Sequence, residues 1–256
     1  MSTVVKMAYV KSEIISPGVG EITFFHPSHN SLPSDILAQL VDAINTAGEN
    51  PDIQVIILKS GGNRTFCAGA SFNELVAIDD FPTGKKFFMG FANVINACRK
   101  CPKIIIGRVQ GKAVGGGVGI ASAVDYCLAT KYAAIKLSEL AVGIGPFVVG
   151  PAVERKMGLS AFSQLAINAT EFQTAEWAKT NGLYAEVYDT VQELDQAALA
   201  LAAKLVNSSP EAQQLIKRIT WESCDNWDEL LSQRAEISGR LVLSDYTKEA
   251  LARFKS

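Results

Sequence analysis

Apolar residues follow two periods along this chain. Residues 7–15 and 20–26 read as strands, and Ser16-Pro17-Gly18 between them predicts a hairpin turn. Ile36, Leu37, Leu40, Val41 and Ile44 return at helical spacing; they predict a helix that Ser34 caps and that Gly48 and Pro51 end. Residues 53–58 form a nearly continuous apolar run, the pattern of a strand buried on both faces. A short helix is predicted over 72–78, a turn over 79–82, and a longer helix over 83–99 with Phe87, Phe88, Phe91, Val94 and Ile95 on one side. Residues 104–106, 125–129 and 134–137 predict three more strands. Helical spacing then dominates, over 151–157, 160–169, 174–180, 192–207, 210–219, 227–239 and 245–254, with one strand at 185–188. Strands alternating with helices, followed by a helical tail, argue for an α/β core with an α-helical appendage.

Composition narrows the function classes. The 256 residues suffice for a sizeable core. The formal net charge is −2, the pI is about 5.8, and no basic stripe is present, so nucleic acid is not an expected partner. No signal-like run opens the chain and no apolar segment reaches transmembrane length; the expectation is a cytoplasmic protein without a membrane partner. Five cysteines at scattered positions do not make a disulfide framework. Cys98-Arg-Lys-Cys101 lacks the second pair a zinc site needs and the βαβ context of a redox centre, so it reads as two helix-end thiols. The two histidines, His26 and His29, share one early loop, where local packing explains them. No Gly-x-Ser-x-Gly elbow and no His-Glu-x-x-His pattern occurs.

Two glycine-containing loops and one carboxylate remain. In Gly111-Lys-Ala-Val-Gly-Gly-Gly-Val-Gly-Ile-Ala-Ser122, glycines sit where an apolar strand gives way to an Ala-rich helix. Glycines admit close approach to the backbone, and a helix start offers free N–H donors to an anion. A mononucleotide loop is rejected, because Lys112 precedes the glycines and Ala113 follows it. A dinucleotide fingerprint fits Gly117-Val-Gly119 and Glu139 in part, but Ser122 holds the third glycine position. An oxyanion on a substrate carbonyl is the third candidate, and a tight turn with close helix packing is the structural alternative. Glu139 precedes an entirely apolar or glycine stretch, 140–149. Burial there would raise its pKa and make it a stronger base; a strand-end glutamate in a surface salt bridge is the plainer reading.

Together these segments resemble the crotonase (enoyl-CoA hydratase/isomerase) superfamily. Phe66-Cys-Ala-Gly-Ala-Ser71-Phe-Asn-Glu-Leu75 is similar to its A-G-A-D loop. Gln110 to Ala121, followed by Asp125, resembles its N-G-x-A-x-G-G-G segment. Leu137-Ser-Glu139, with Gly143 and Pro146, resembles its second catalytic loop. The matches fall in the family's order and run from about residue 10 to the end. The resemblance implies a ClpP-like spiral of ββα units over 1–193 and a C-terminal helical oligomerisation region over 194–256, building a homotrimer or a dimer of trimers. It implies an acyl-CoA thioester substrate, with coenzyme A as part of that substrate and no metal or further cofactor. By position, Ala70 and Gly116 would donate backbone N–H groups to the thioester oxygen, with Glu139 as acid/base. Ala68, Ser71, Phe72 and Asn73 would hold the CoA portion; the apolar stretch Phe147-Val148-Val149 itself suggests an acyl pocket.

Three departures refine this. The hydratases' first glutamate falls on Gly119, so only Glu139 remains; one carboxylate suits 3-enoyl to 2-enoyl isomerisation better than hydration. Hydration in fatty-acid or branched-chain acyl-CoA breakdown, other enolate chemistry, and a non-catalytic acyl-CoA binder stay open. The loop's usual Asp is Ser71, which changes its structural hydrogen bonds. The sequence ends at Phe254-Lys255-Ser256, without the family's basic tail, so contact with the CoA phosphate is expected from elsewhere.

Overall fold

The computed structural model describes residues 7–253. The chain end at 254–256, including the last residue of the 245–254 helix, lies outside them. The first strands are β1 (Tyr9–Ser16) and β2 (Gly18–Phe25), an antiparallel hairpin turning at Pro17 with Gly18 at φ 78°. Then come β3 (Ser31–Leu32), α1 (Ser34–Glu49), β4 (Ile53–Ser60), β5 (Thr65–Cys67), β6 (Gly69–Ala70), α2 (Phe72–Val76) and α3 (Phe81–Lys100). The glycine segment contributes β7 (Ile104–Val109), β8 (Lys112–Val114) and α4 (Gly116–Ala123). After β9 (Tyr126–Thr130) and β10 (Ile135–Lys136), a 3-10 turn spans Glu139–Val142. The rest is α5 (Gly150–Ile167), α6 (Ala175–Thr180), β11 (Glu186–Tyr188), α7 (Val191–Val206), α8 (Pro210–Trp221), α9 (Trp227–Leu241) and α10 (Asp245–Arg253), with a 3-10 turn at Glu222–Cys224.

One unit recurs: a long strand, a short strand in another sheet, then a helix. The long strands build a six-stranded sheet ordered β1-β2-β4-β7-β9-β11, parallel except for the β1–β2 hairpin. The short ones form a parallel sheet β10-β8-β5 and a pair β3-β6. This is the expected spiral of ββα units. The apolar run of β4 is buried on both faces. Ile56 and Leu58 pack with α1, α3 and α4, whereas Val55 and Ile57 meet Leu194, Ala198 and Ala202 of α7. The 193/194 division therefore falls inside α7, a helix that covers the main sheet.

Two helix starts differ from expectation. Ser34 is the first residue of α1, after Pro33, rather than its cap. Its hydroxyl and N–H donate instead to the Glu74 carboxylate, at 2.6 and 3.1 Å, tying α1 to α2. Asp80 caps α3 by accepting the Thr83 N–H at 2.7 Å, so the helix begins at Phe81 with Pro82 in the first turn, where a missing N–H costs nothing. Residues 151–157 and 160–169, expected as two helices, are the two helical segments of α5, which meet at a kink at Gly158, whose φ of 79° and ψ of 160° are non-helical. Cys98 and Cys101 are buried free thiols, and burial pushes Cys98 up to about 12. No helix among the described residues is long and apolar enough to cross a membrane.

Candidate functional site

Three loops meet at the ends of the short strands. Asn30, buried, holds the first of them. Its side-chain amide donates to the Gly61 and Thr65 carbonyls at 2.9 Å, and its carbonyl accepts the Ala68 N–H at 3.2 Å. Ser71 N–H bonds the Leu32 carbonyl at 3.0 Å. The second loop ends at Gly115, which has φ 51° and opens α4. Gly116 is then the first helical residue, and its N–H is one of the donors a helix leaves without an internal partner. The loops adjoin: a Cβ on Gly69 would lie 3.3 Å from the Val114 carbonyl oxygen and 3.9 Å from the Gly116 nitrogen. Glycine at 117 is required too, since a Cβ there would stand 2.5 Å from the Cys67 carbonyl oxygen.

Glu139 comes from the third loop, at the start of its 3-10 turn. A Cβ on Gly115 would lie 3.0 Å from Glu139 Oε1, so the carboxylate rests against the turn that carries Gly116. Glu139 Oε2 is buried and accepts no hydrogen bond among the described residues. Burial pushes the carboxyl up to about 7, opposed only by a hydrogen bond from its own backbone N–H. The surface salt bridge of the plainer reading is not formed. A carboxylate left unpartnered inside a protein is costly, and such groups cluster where chemistry is done.

These residues wall a cavity of about 610 Å³, a size suited to a small-molecule site. Ala68, Ala70, Phe72, Gly116, Glu139 and Phe147 all line it. Ser71 and Asn73 do not. Ser71 Oγ accepts the Glu74 N–H at 3.3 Å and caps α2, and Asn73 faces solvent. Sequence reasoning missed much of the wall. The expected Val148 and Val149 line the cavity beside Phe147, whereas Phe87, Phe88 and Phe91 of α3 contribute aromatic surface, and Val142 and Ile144 come from the stretch after Glu139. Their helical or apolar pattern marked them as core, and only the crossing of α3 over α4 turns that face into a cavity wall.

Position 119 is closed to a larger side chain. A Cβ on Gly119 would lie 2.6 Å from Val149 Cγ1, 2.9 Å from Val149 Cβ and 3.6 Å from Ile95 Cδ1. Val149 fills the space into which a side chain at 119 would project. Among the described residues lining the cavity, Glu139 is therefore the one acid.

Comparison with known proteins bears on the family and the fold. Residues 15–255 match the family model described as enoyl-CoA hydratase/isomerase. A peroxisomal Delta(3,5)-Delta(2,4)-dienoyl-CoA isomerase of Arabidopsis thaliana is 27% identical, over 96% of this chain and 94% of that one. A short-chain-enoyl-CoA hydratase of Clostridium acetobutylicum is 28% identical, over 88% of this chain and 86% of its own length. The crystal structure of enoyl-CoA hydratase from Bacillus halodurans superposes with a TM-score of 0.88 at 21% identity, covering 96% of this chain and 99% of that one, which bears on the fold.

Proposed function

The chain belongs to the enoyl-CoA hydratase/isomerase family, and from that premise we propose that it moves a double bond within an acyl-CoA, from the 3-enoyl to the 2-enoyl thioester. One observation carries the choice: Glu139 is the cavity's single acid, and Val149 occupies the space a second carboxylate at 119 would need.

In this reading the thioester oxygen sits between the Ala70 and Gly116 N–H groups. Each such donor lowers the barrier by about 3 kcal/mol as negative charge develops on oxygen. That help matters because a proton beside a thioester is weakly acidic. Ionised Glu139 removes the proton from the carbon next to the carbonyl, giving a dienolate, and returns a proton two carbons further along. Its pKa near 7 leaves a large ionised fraction at neutral pH while making it a stronger base than an exposed glutamate. Phe147 and the α3 aromatics suit an apolar acyl chain. Coenzyme A enters as part of the substrate, and the reaction needs no metal or further cofactor. Exposed Leu215, Ile216 and Ile219 on α8 are consistent with assembly into trimers or dimers of trimers.

Hydration is the second reading, supported by the hydratase among the relatives; it needs a group other than residue 119 to hold the water. The test follows conjugated-thioester absorbance with a medium-chain 3-enoyl-CoA. The wild type is expected to turn it over, and Glu139→Gln to bind it without turnover. A wild type that binds acyl-CoA yet transforms no enoyl thioester would make the protein a binder and overturn the proposal.

A further inference from the structure

Two lysines stand over one aromatic ring, Phe172, and one of them, Lys136, lines the cavity. Among the described residues lining that cavity, Lys136 and Glu139 are the two with charged side chains. Strands β10 and β8 run parallel with Lys136 opposite Val114. Lys112 lies two residues before Val114 and so projects from the same face of the ladder. Residue Gln173 exchanges two backbone hydrogen bonds of 2.9 Å with Ile135, which sets Phe172 beside that face. Lys136 Nζ lies 4.5 Å and Lys112 Nζ 4.7 Å from the Phe172 ring centroid.

Neither ammonium has an ion pair or hydrogen bond among the described residues. A ring face attracts a cation by only about 0.5–1 kcal/mol at an exposed site, which leaves two neighbouring like charges without a counter-charge. The position of Lys136 is fixed independently. Its carbonyl accepts the Gly115 N–H at 2.8 Å, anchoring it to the turn that carries Gly116. The pair is therefore built into the same frame as Glu139.

We propose that Lys136 and Lys112 form an anion subsite of the cavity, which holds a negatively charged group of the substrate. The proposal rests on the acyl-CoA reading of the cavity. Two parts of such a substrate offer this chemistry: a carboxylate at the far end of the acyl chain, or a phosphate of coenzyme A.

Calorimetric binding of saturated thioesters tests the subsite without requiring turnover. The probes are glutaryl-CoA, butanoyl-CoA and butanoyl-pantetheine, and the proteins are wild type, Lys136→Gln, Lys112→Gln and Lys136→Arg. If the acyl carboxylate is the ligand, glutaryl-CoA binding weakens at least about tenfold in either glutamine variant, the size of one charge-assisted hydrogen bond. Lys136→Arg then restores it, and butanoyl-CoA is unaffected. If a phosphate is the ligand, both CoA thioesters weaken while butanoyl-pantetheine does not. Unchanged affinity for all probes, or equal weakening for all three, overturns the subsite and leaves the cavity reading standing. A wild type that binds neither CoA thioester overturns the cavity reading and the subsite together.

Discussion

Glu139 sets the behaviour at the scale of single residues. Its carboxyl must be ionised to accept a proton, so kcat/KM is expected to rise with pH through about 7 and level off above it. Glu139→Gln should lower kcat by about 10²–10⁴-fold, the usual worth of a positioned base, with acyl-CoA affinity retained. The same burial has a stability cost of definite sign. The folded acid holds its proton more tightly than the unfolded one, so the contribution of Glu139 to stability is greatest below 4.5 and falls as pH rises to about 7. At about 1.4 kcal/mol per pH unit, Glu139→Gln should be more stable than wild type by up to roughly 3 kcal/mol at pH 8, and no more stable at pH 4. Denaturant titrations at the two pH values measure this. Glu139 stood out in the sequence as an acid beside ten apolar or glycine residues, but that pattern alone favoured a surface salt bridge; the family resemblance singled it out, and the fold sets it beside the loops of Ala68-Gly-Ala70 and Gly115-Gly-Gly117. Asn30 was not legible. Its importance comes from partners more than thirty residues away, at Gly61 and Thr65.

Close contacts between elements decide which side chains the site tolerates. Val149, on the segment entering α5, and Gly119 of α4 fit together, so adding even a methyl group at 119 overpacks the contact. Gly119→Ala should cost about 1–3 kcal/mol, and the cost should shrink when Val149→Ala is added, a non-additivity that a double-mutant cycle by thermal unfolding reads directly. The bend of α5 separates strain from crowding. A Cβ on Gly158 would meet nothing within 4 Å, yet its φ of 79° with ψ of 160° suits glycine alone. Gly158→Ala should therefore cost about 1–3 kcal/mol through the backbone, with no change in the cavity. The hairpin, α1, the main-sheet strands and most of the helices could be read from periodicity. Strands β3, β5, β6 and β8 could not, since two or three residues carry no pattern, and they are the strands that deliver Ala70 and Gly116. The start of α1 was misread because the serine that looked like a cap serves Glu74, forty residues on.

At the scale of the whole molecule, one ion pair among the described residues, Lys217–Asp125, has both side chains almost fully buried. Asp125, at the end of the glycine segment, accepts from the Ile105 N–H at 2.8 Å, Lys217 Nζ at 2.8 Å and the Trp221 indole at 2.9 Å. Lys217, with 4% of its side chain exposed, also donates to the Lys103 carbonyl at 2.7 Å. This joins α8 of the helical tail to the sheet and, through α4, to the turn that carries Gly116. Asp125→Ala leaves Lys217 charged and unpaired, and should cost about 3–5 kcal/mol in chemical denaturation. The family resemblance marked Asp125 only as a motif residue, and its partners on α8 follow from tertiary folding that no local pattern records. The overall spiral was legible because several motifs fell in one order, each too weak to identify the fold alone. The central claim, a single carboxylate shuttling a proton along an acyl-CoA, is tested most directly in heavy water. A medium-chain 3-enoyl-CoA is incubated with the protein, and the product's absorbance and mass are recorded. The account predicts a conjugated thioester that has gained no water, with deuterium entering only where the proton on Glu139 exchanges with solvent before it is returned. A product that has gained a water, or a substrate returned unchanged, would contradict it.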